Sequence, residues 1–145
     1  MPEYENTSQR TWWGPPPDHY KYWAEYFHNL FQNKILDLTL LGLKSEWVVV
    51  QYFLKQDYRL LWHRKEFLGV ELDLVFWYPK MRECIIVEVK SVRGDQEVRV
   101  SEKQRKRLEM AFDLCVETWH NLNVRLHLAA VQSEQVFLIE DFLVK

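Results

Sequence analysis

Residues 70–90 read "VELDLVFWYPKMRECIIVEVK", two apolar runs joined at Pro79, with Glu71 and Asp73 set into the first and Glu88 and Lys90 into the second. Side chains alternate along a strand, so Glu71 and Asp73 share one face and Glu88 and Lys90 share one face. With a turn centred on Lys80 and Met81, antiparallel pairing sets Asp73 opposite Glu88 and Glu71 opposite Lys90. Directly opposed residues point the same way, with Cβ atoms roughly 5 Å apart. The four charged groups are therefore expected on one patch. Leu72, Leu74, Phe76, Ile85, Val87 and Val89 are expected to form a core surface on the other face.

Two readings of the patch stand at this point. It is a solvated charge ladder on a wet sheet face, which antiparallel sheets commonly carry, or it is a cation site. Opposed carboxylates repel, by roughly 0.2–1 kcal/mol on a wet surface and more when desolvated. A divalent ion offsets that, since Mg²⁺ favours one or two carboxylates together with waters and phosphates. Ile86 falls on the same face as Glu88, so the face is expected to be partly covered, and unpaired buried charge is costly.

Upstream, "TWWGPPPDHY" pairs tryptophans with a glycine and three prolines, a turn followed by an extended piece. Asp18 is expected to cap a helix on which Tyr20, Trp23, Phe27, Leu30 or Phe31, and Ile35 recur at helical spacing. Such a helix either packs on its own domain or presents aromatic anchors to a second copy or a protein partner. A second helix is expected over about residues 43–55, with Trp47, Val50, Gln51 and Leu54 along one stripe. Residues 58–63 read as a short strand. Downstream, Ser101 is expected to cap a long helix reaching about His120, and two further strands follow. The order from residue 43 is helix, three strands, helix, two strands.

The 145 residues fit one domain with a sizeable core. A 48% apolar and 28% charged composition is that of a globular chain. No apolar run is long enough to cross a bilayer, and the polar start does not resemble a secretory signal. Cys84 and Cys115 are far apart, so neither a disulfide framework nor a cysteine zinc site is expected; a reducing cytoplasm is. A net charge of −2 argues against wholesale coating of nucleic acid and leaves room for a local basic face.

Glu-x-Asp in one strand and Glu-x-Lys in the next, preceded by a helix carrying Glu46, resembles the PD-(D/E)xK nuclease superfamily. The closer resemblance is to the YraN-like family, related to archaeal Holliday-junction resolvases. "GLKSE" resembles that family's Gly-x-x-Gly-Glu helix, with Ser45 at the second glycine. "VELDL" resembles its Gly-Glu-(Ile/Leu)-Asp-Leu box, with Val70 at the glycine, and its Val-Glu-Val-Lys box is intact at residues 87–90. "SEKQRKRLEMA" and "VRLHLAAV" resemble its later helix and strand, with His127 in place of an aspartate.

The resemblance covers roughly residues 42–131. It implies a restriction-endonuclease-like α/β fold: an αβββαβ core with a mixed central sheet flanked by helices. Residues 1–41 are then an N-terminal aromatic, proline-rich extension with a helix, and residues 42–145 the nuclease-like domain. Carried over by position, Asp73 and Glu88 are implied metal ligands for Mg²⁺ or Mn²⁺. Lys90 is implied to orient the attacking water and steady the developing phosphorane charge. Glu46 is implied as an additional metal or water ligand, and Glu71 as a ligand or a partner for Lys90.

Phosphate contacts are expected beside such a site. Arg99, Lys103, Lys106 and Arg107 fall near helical spacing, Gln104 reaches a backbone phosphate, Arg93 follows one strand, and His63, Arg64 and Lys65 precede the other. An ordinary solvated helix face is the competing reading, since Glu102 and Glu109 interleave with the bases. The expected function is metal-dependent hydrolysis of DNA, of branched or repair structures. A catalytically weak nucleic-acid-binding or assembly module on the same fold is the alternative.

Overall fold

The hairpin expected over residues 70–90 is present in the computed structural model, which describes residues 19–33, 37–67, 69–94 and 97–143. Two strands, β2 (Val70–Tyr78) and β3 (Glu83–Ser91), pair antiparallel with Leu74 opposite Val87 and Phe76 opposite Ile85. A single 3₁₀ turn at Pro79–Met81 joins them. Arg82, at φ 48, closes it by donating its N–H to the Pro79 carbonyl. Proline fixes the first turn residue and supplies no N–H that needs a partner there.

Around the hairpin lie α1 (His19–Gln32), α2 (Asp37–Leu54), β1 (Arg59–Phe67), α3 (Glu102–Thr118), β4 (Asn123–Gln132) and β5 (Gln135–Ile139). The five strands form one sheet in the order β1-β2-β3-β4-β5. Only β3 and β4 run parallel. A parallel neighbour requires a crossover, and α3 provides it. Its start is set by Ser101, whose hydroxyl accepts from the Gln104 N–H at 3.1 Å, a capping geometry that satisfies one orphan helix donor. The result is a mixed α/β arrangement consistent with a nuclease-like fold.

Both sheet faces are covered. On one, Leu61, Leu72, Val75, Trp77, Cys84, Ile86 and Leu126 pack with Leu108, Ala111 and Cys115 of α3. On the other, Leu60, Leu74, Phe76, Ile85 and Val87 pack with Val49, Val50 and Phe53 of α2 and Trp23 and Phe27 of α1. Double burial explains why the two runs are apolar almost throughout instead of alternating. It also removes the wet charge ladder, because the face of Glu88 is interior.

Leu72 corrects the expected core face: it packs on the α3 side, opposite to Leu74. Alternation is broken between them, at Asp73. A second irregularity lies in β1, where the register shifts between Leu60 and Trp62 and puts Leu61 and Trp62 together on the α3 side. Such a bulge adds a residue to one strand and increases local twist.

The second helix starts earlier than expected, at Asp37, and buries Leu43, Glu46, Val49, Val50 and Phe53; Trp47 and Leu54 flank this stripe. The stripe is rotated because α2 is held between the sheet and α1. Trp23 and Phe27 of α1 enter the same core, while Tyr20 and Tyr22 face outward. A boundary between residues 41 and 42 therefore falls inside α2. Asp18 and Ile35 lie outside the described residues. The first strand runs beyond His63 to Phe67, and α3 stops at Thr118, with Trp119 folded into the core against Trp62 and Phe67. Cys84 and Cys115 are free and buried. Among the described residues no helix is long and apolar enough to cross a membrane.

Candidate active site

The β2–β3 pairing ends at Leu74 and Val87. One residue further along, Asp73 turns its side chain into the seam, and Oδ2 accepts the Val89 N–H at 2.9 Å. A backbone donor left by the end of the ladder is satisfied by a carboxylate. Continuing the register by one step puts Glu88 beside Asp73, close enough for each carboxyl group to act on the other's ionisation. The cross-strand meeting of these two acids thus holds, at the point where the strands begin to part.

Glu88 is buried, and Asp73 is partly so. Burial raises the Asp73 pKa; the Val89 N–H opposes that and the Glu46 charge adds to it. Glu88 is raised by burial and then by the Asp73 charge, against the pull of Lys90. Two close carboxyl groups away from water resist ionising together. Both acids are therefore held above the ordinary carboxylate range, by burial first and then by neighbouring carboxylate charge.

Lys90 and Glu88 are tied through α3. Lys90 Nζ donates to Gln104 Oε1 at 2.8 Å, and Gln104 Nε2 donates to Glu88 Oε1 at 3.0 Å. Each end of the amide matches its partner, an acceptor for the ammonium and a donor for the carboxyl. Gln104 is thus within the cluster and fixes the spacing of the acid and the lysine.

Glu46 approaches from α2, and its charge acts on both Asp73 and Glu88. It is already engaged. His63 Nε2 lies 2.6 Å from Oε1, and Arg64 donates through Nε at 3.1 Å and through its terminal nitrogen to Oε2 at 3.4 Å. The Tyr26 hydroxyl lies 2.9 Å from His63 Nδ1. His63 thus bridges Glu46 and Tyr26, one ring nitrogen to each. Arg64 reaches Glu46 from a left-handed conformation inside β1, at φ 52. A non-glycine residue there costs on the order of 1–2 kcal/mol.

Glu71 is outside the group. It is exposed, opposite Glu66 of β1, and Lys90 points to Gln104 instead. The expected Glu71–Lys90 pair fails because β2 and β3 separate before reaching it. Arg93, Arg99, Lys103, Lys106 and Arg107 are exposed. Arg99 lines a cleft of about 490 Å³ with Lys90, while Lys103, Lys106 and Arg107 look outward from α3.

Tyr26 and the Ser45–Ser91 hydroxyl contact at 2.6 Å were not foreseen. The sequence marks His63 only as a basic residue near a strand. Alternation could have put it on the α2 face; nothing local points to Tyr26, 37 residues away.

The donor set suits a small divalent cation. Two adjacent carboxyl groups are held at a strand end with a lysine beside them, and their mutual repulsion is what a dication removes. Asp73 and Glu88 would hold it, with Glu46 near. Among the described residues no group of three or more His, Cys, Asp or Glu side chains forms a ready metal cage.

A family model described as uncharacterised protein family UPF0102 matches residues 45–131. This is more than half of the chain and includes Glu46, Asp73, Glu88, Lys90 and Gln104. The chain belongs to that family, the YraN family, consistent with the PD-(D/E)xK nuclease superfamily. No curated protein matches the chain.

Proposed function

We propose that the chain, as a member of the UPF0102 family, is a divalent-metal-dependent nuclease that hydrolyses DNA phosphodiester bonds on a restriction-endonuclease-like fold. The observation that carries this reading is the contact of Asp73 with Glu88 beside a lysine that Gln104 holds in place. A structural ion pair has no use for a second acid forced against the first, whereas phosphoryl chemistry does.

Asp73 and Glu88 would hold Mg²⁺ or Mn²⁺. When bound, such an ion supplies Lewis-acid stabilisation of a phosphodiester's oxygens and eases ionisation of water. Asp73 is kept in place by the Val89 N–H, so its second oxygen remains directed by the backbone. A bound dication would offset the repulsion that raises the pKa of both acids. Lys90 places a positive charge beside the acids, where it orients the attacking water and steadies negative charge on the phosphate. The water oxygen forms a bond to phosphorus as the ester P–O bond breaks. Glu46, buffered by Arg64 and His63, adds negative field without bringing a further unpaired charge. Arg99, which shares the cleft with Lys90, would be the nearest phosphate contact, with Arg93 beyond it.

The test is a panel of single-stranded, duplex, flap and four-way DNA with Mg²⁺ or Mn²⁺. Cleavage of at least one substrate, lost in Asp73→Ala and Glu88→Gln, is the expected result. No cleavage dependent on those residues overturns the reading.

The engagement of Glu46 by His63 and Arg64 favours a second reading, a catalytically weak DNA-binding or assembly module. DNA binding that weakens with salt, yet is unchanged by metal or by Glu88→Gln, selects it.

A further inference from the structure

Beside the Lys90 cleft lies a second, larger and open cavity of about 680 Å³, lined by α1, α2 and the ends of β3 and β4. The two share Ser91 and Val92 as a common wall. The chain from Lys90 to Val92 is extended, so the second cavity begins within about 7 Å of the lysine along the strand.

Its inner wall is apolar and aromatic: Phe31, Trp47, Val48 and Val131. Trp47 is braced by Phe27, with ring centroids 5.1 Å apart and planes near parallel, and Phe31 by His28 in an edge contact. Both rings of the wall are thus packed against a neighbour. The rim carries two exposed cations, Lys44 and Arg93, with the Glu134 carboxylate on the opposite, β4–β5 side. Two candidate base-reading amides are committed elsewhere. Gln51 accepts from the Tyr20 hydroxyl at 3.1 Å, and Gln132 donates to the Gly94 carbonyl at 2.7 Å.

We infer that this cavity takes one unpaired nucleotide of the DNA strand, its base against Phe31 and Trp47 and its phosphate near Lys44 and Arg93, next to the scissile position. The inference rests on the nuclease reading for the strand's path and adds the substrate class: DNA with a single-stranded stretch at the cut. An apolar wall with a cationic rim, adjoining the Lys90 cleft across Ser91 and Val92, suits a base and its phosphate together. A base stacked in a duplex cannot enter without leaving the stack. Because the amides are engaged, the pocket holds bases by their faces and is tolerant of sequence.

The experiment uses the full chain, without divalent metal, and a 12-nucleotide single strand carrying 2-aminopurine, set against its duplex. The expected result is at least tenfold tighter binding of the single strand, with 2-aminopurine fluorescence quenched. Phe31→Ala and Lys44→Glu each lower single-strand affinity about tenfold and leave duplex binding within twofold; Phe31→Tyr retains it. Lys44 is exposed, so its substitution keeps the test open should Phe31→Ala unfold. Equal affinity for the two forms, or single-strand binding indifferent to Lys44→Glu, overturns the inference. Metal-dependent cleavage lost in Glu88→Gln is scored separately. If cleavage is present and the preference absent, the pocket fails alone; with the reverse, the nuclease reading fails alone.

Discussion

Arg64 of β1 and Asp73 of β2 occupy the same row of the sheet, between the pairs His63–Leu74 and Lys65–Leu72, and each departs from regular strand geometry there. Arg64 has a positive φ; Asp73 is where β2 changes the face it presents. The register on either side is unchanged, so the two distortions are matched and localised. They bring a guanidinium to Glu46 and a carboxylate to Glu88. Strain of this kind persists only where surrounding structure over-determines it.

Replacing Arg64 with glycine separates these contributions. Glycine relieves the left-handed backbone by about 1–2 kcal/mol, while the lost charged hydrogen bonds cost about 1.5–3 kcal/mol. The expected change in stability is therefore under about 2 kcal/mol, with cleavage reduced at least tenfold. Denaturant melts and single-turnover cleavage of the same preparation check this. Full activity in Arg64→Gly would show that its hold on Glu46 serves the fold alone.

Gln104 is the second test of the site. Gln104→Leu keeps much of the side chain's volume and removes both hydrogen bonds, freeing Lys90 from Glu88. Groups that orient metal ligands typically matter by about 10–100-fold in affinity or activity. Mn²⁺ affinity by calorimetry is expected to fall in that range, with the melting temperature little changed. Unaltered Mn²⁺ binding would mean that the Gln104 bridge plays no part in forming the site.

The meeting of Asp73 and Glu88 was legible because strand alternation and one turn position determine it. The fate of Glu71 was not. Alternation assumes that pairing continues, and the strands part where Asp73 takes the Val89 N–H. The same break sends Leu72 to the α3 side. The order of helices and strands could be read from periodicity and from Ser101, yet the buried stripe of α2 could not, because α1 covers one flank of it. Gln104 was recognised as near the site but assigned to phosphate. Only the packing of α3 on the sheet reveals that it bridges Glu88 and Lys90.

The acid pair also sets a dependence on pH. The folded chain holds the Asp73 and Glu88 protons more tightly than the unfolded chain does. Their contribution to stability is fully present below the unfolded value of about 4 and is lost as pH rises through the raised folded values. Without metal, wild type is expected to lose stability relative to Glu88→Gln between about pH 5 and pH 8. Millimolar Mg²⁺ or Mn²⁺ restores wild type but not the variant. Thermal melts at several pH values, with and without metal, test it. Parallel profiles in metal-free buffer would contradict the buried acid pair.

His19 gives a dependence of opposite sign, where α1 meets the start of β1. Its Nε2 accepts the Leu60 N–H at 3.1 Å and so joins α1 to β1. Burial, and then the Arg59 charge, lower its pKa to about 4 from the ordinary 6.5. Protonation would replace the acceptor by a second donor. Above about pH 6.5 both folded and unfolded chains hold a neutral ring and the contribution is complete. As pH falls towards 4 the unfolded chain takes up the proton and the folded one does not, so stability is lost, on the order of 3 kcal/mol in the limit. His19→Gln supplies a carbonyl acceptor that does not titrate. The difference in melting temperature between wild type and this variant is expected to shift in favour of the variant from pH 7 to pH 4.5. Amide exchange in α1 should accelerate over the same interval in wild type only. If the difference stays constant with pH, His19 does not hold α1 to the sheet in the way its geometry describes.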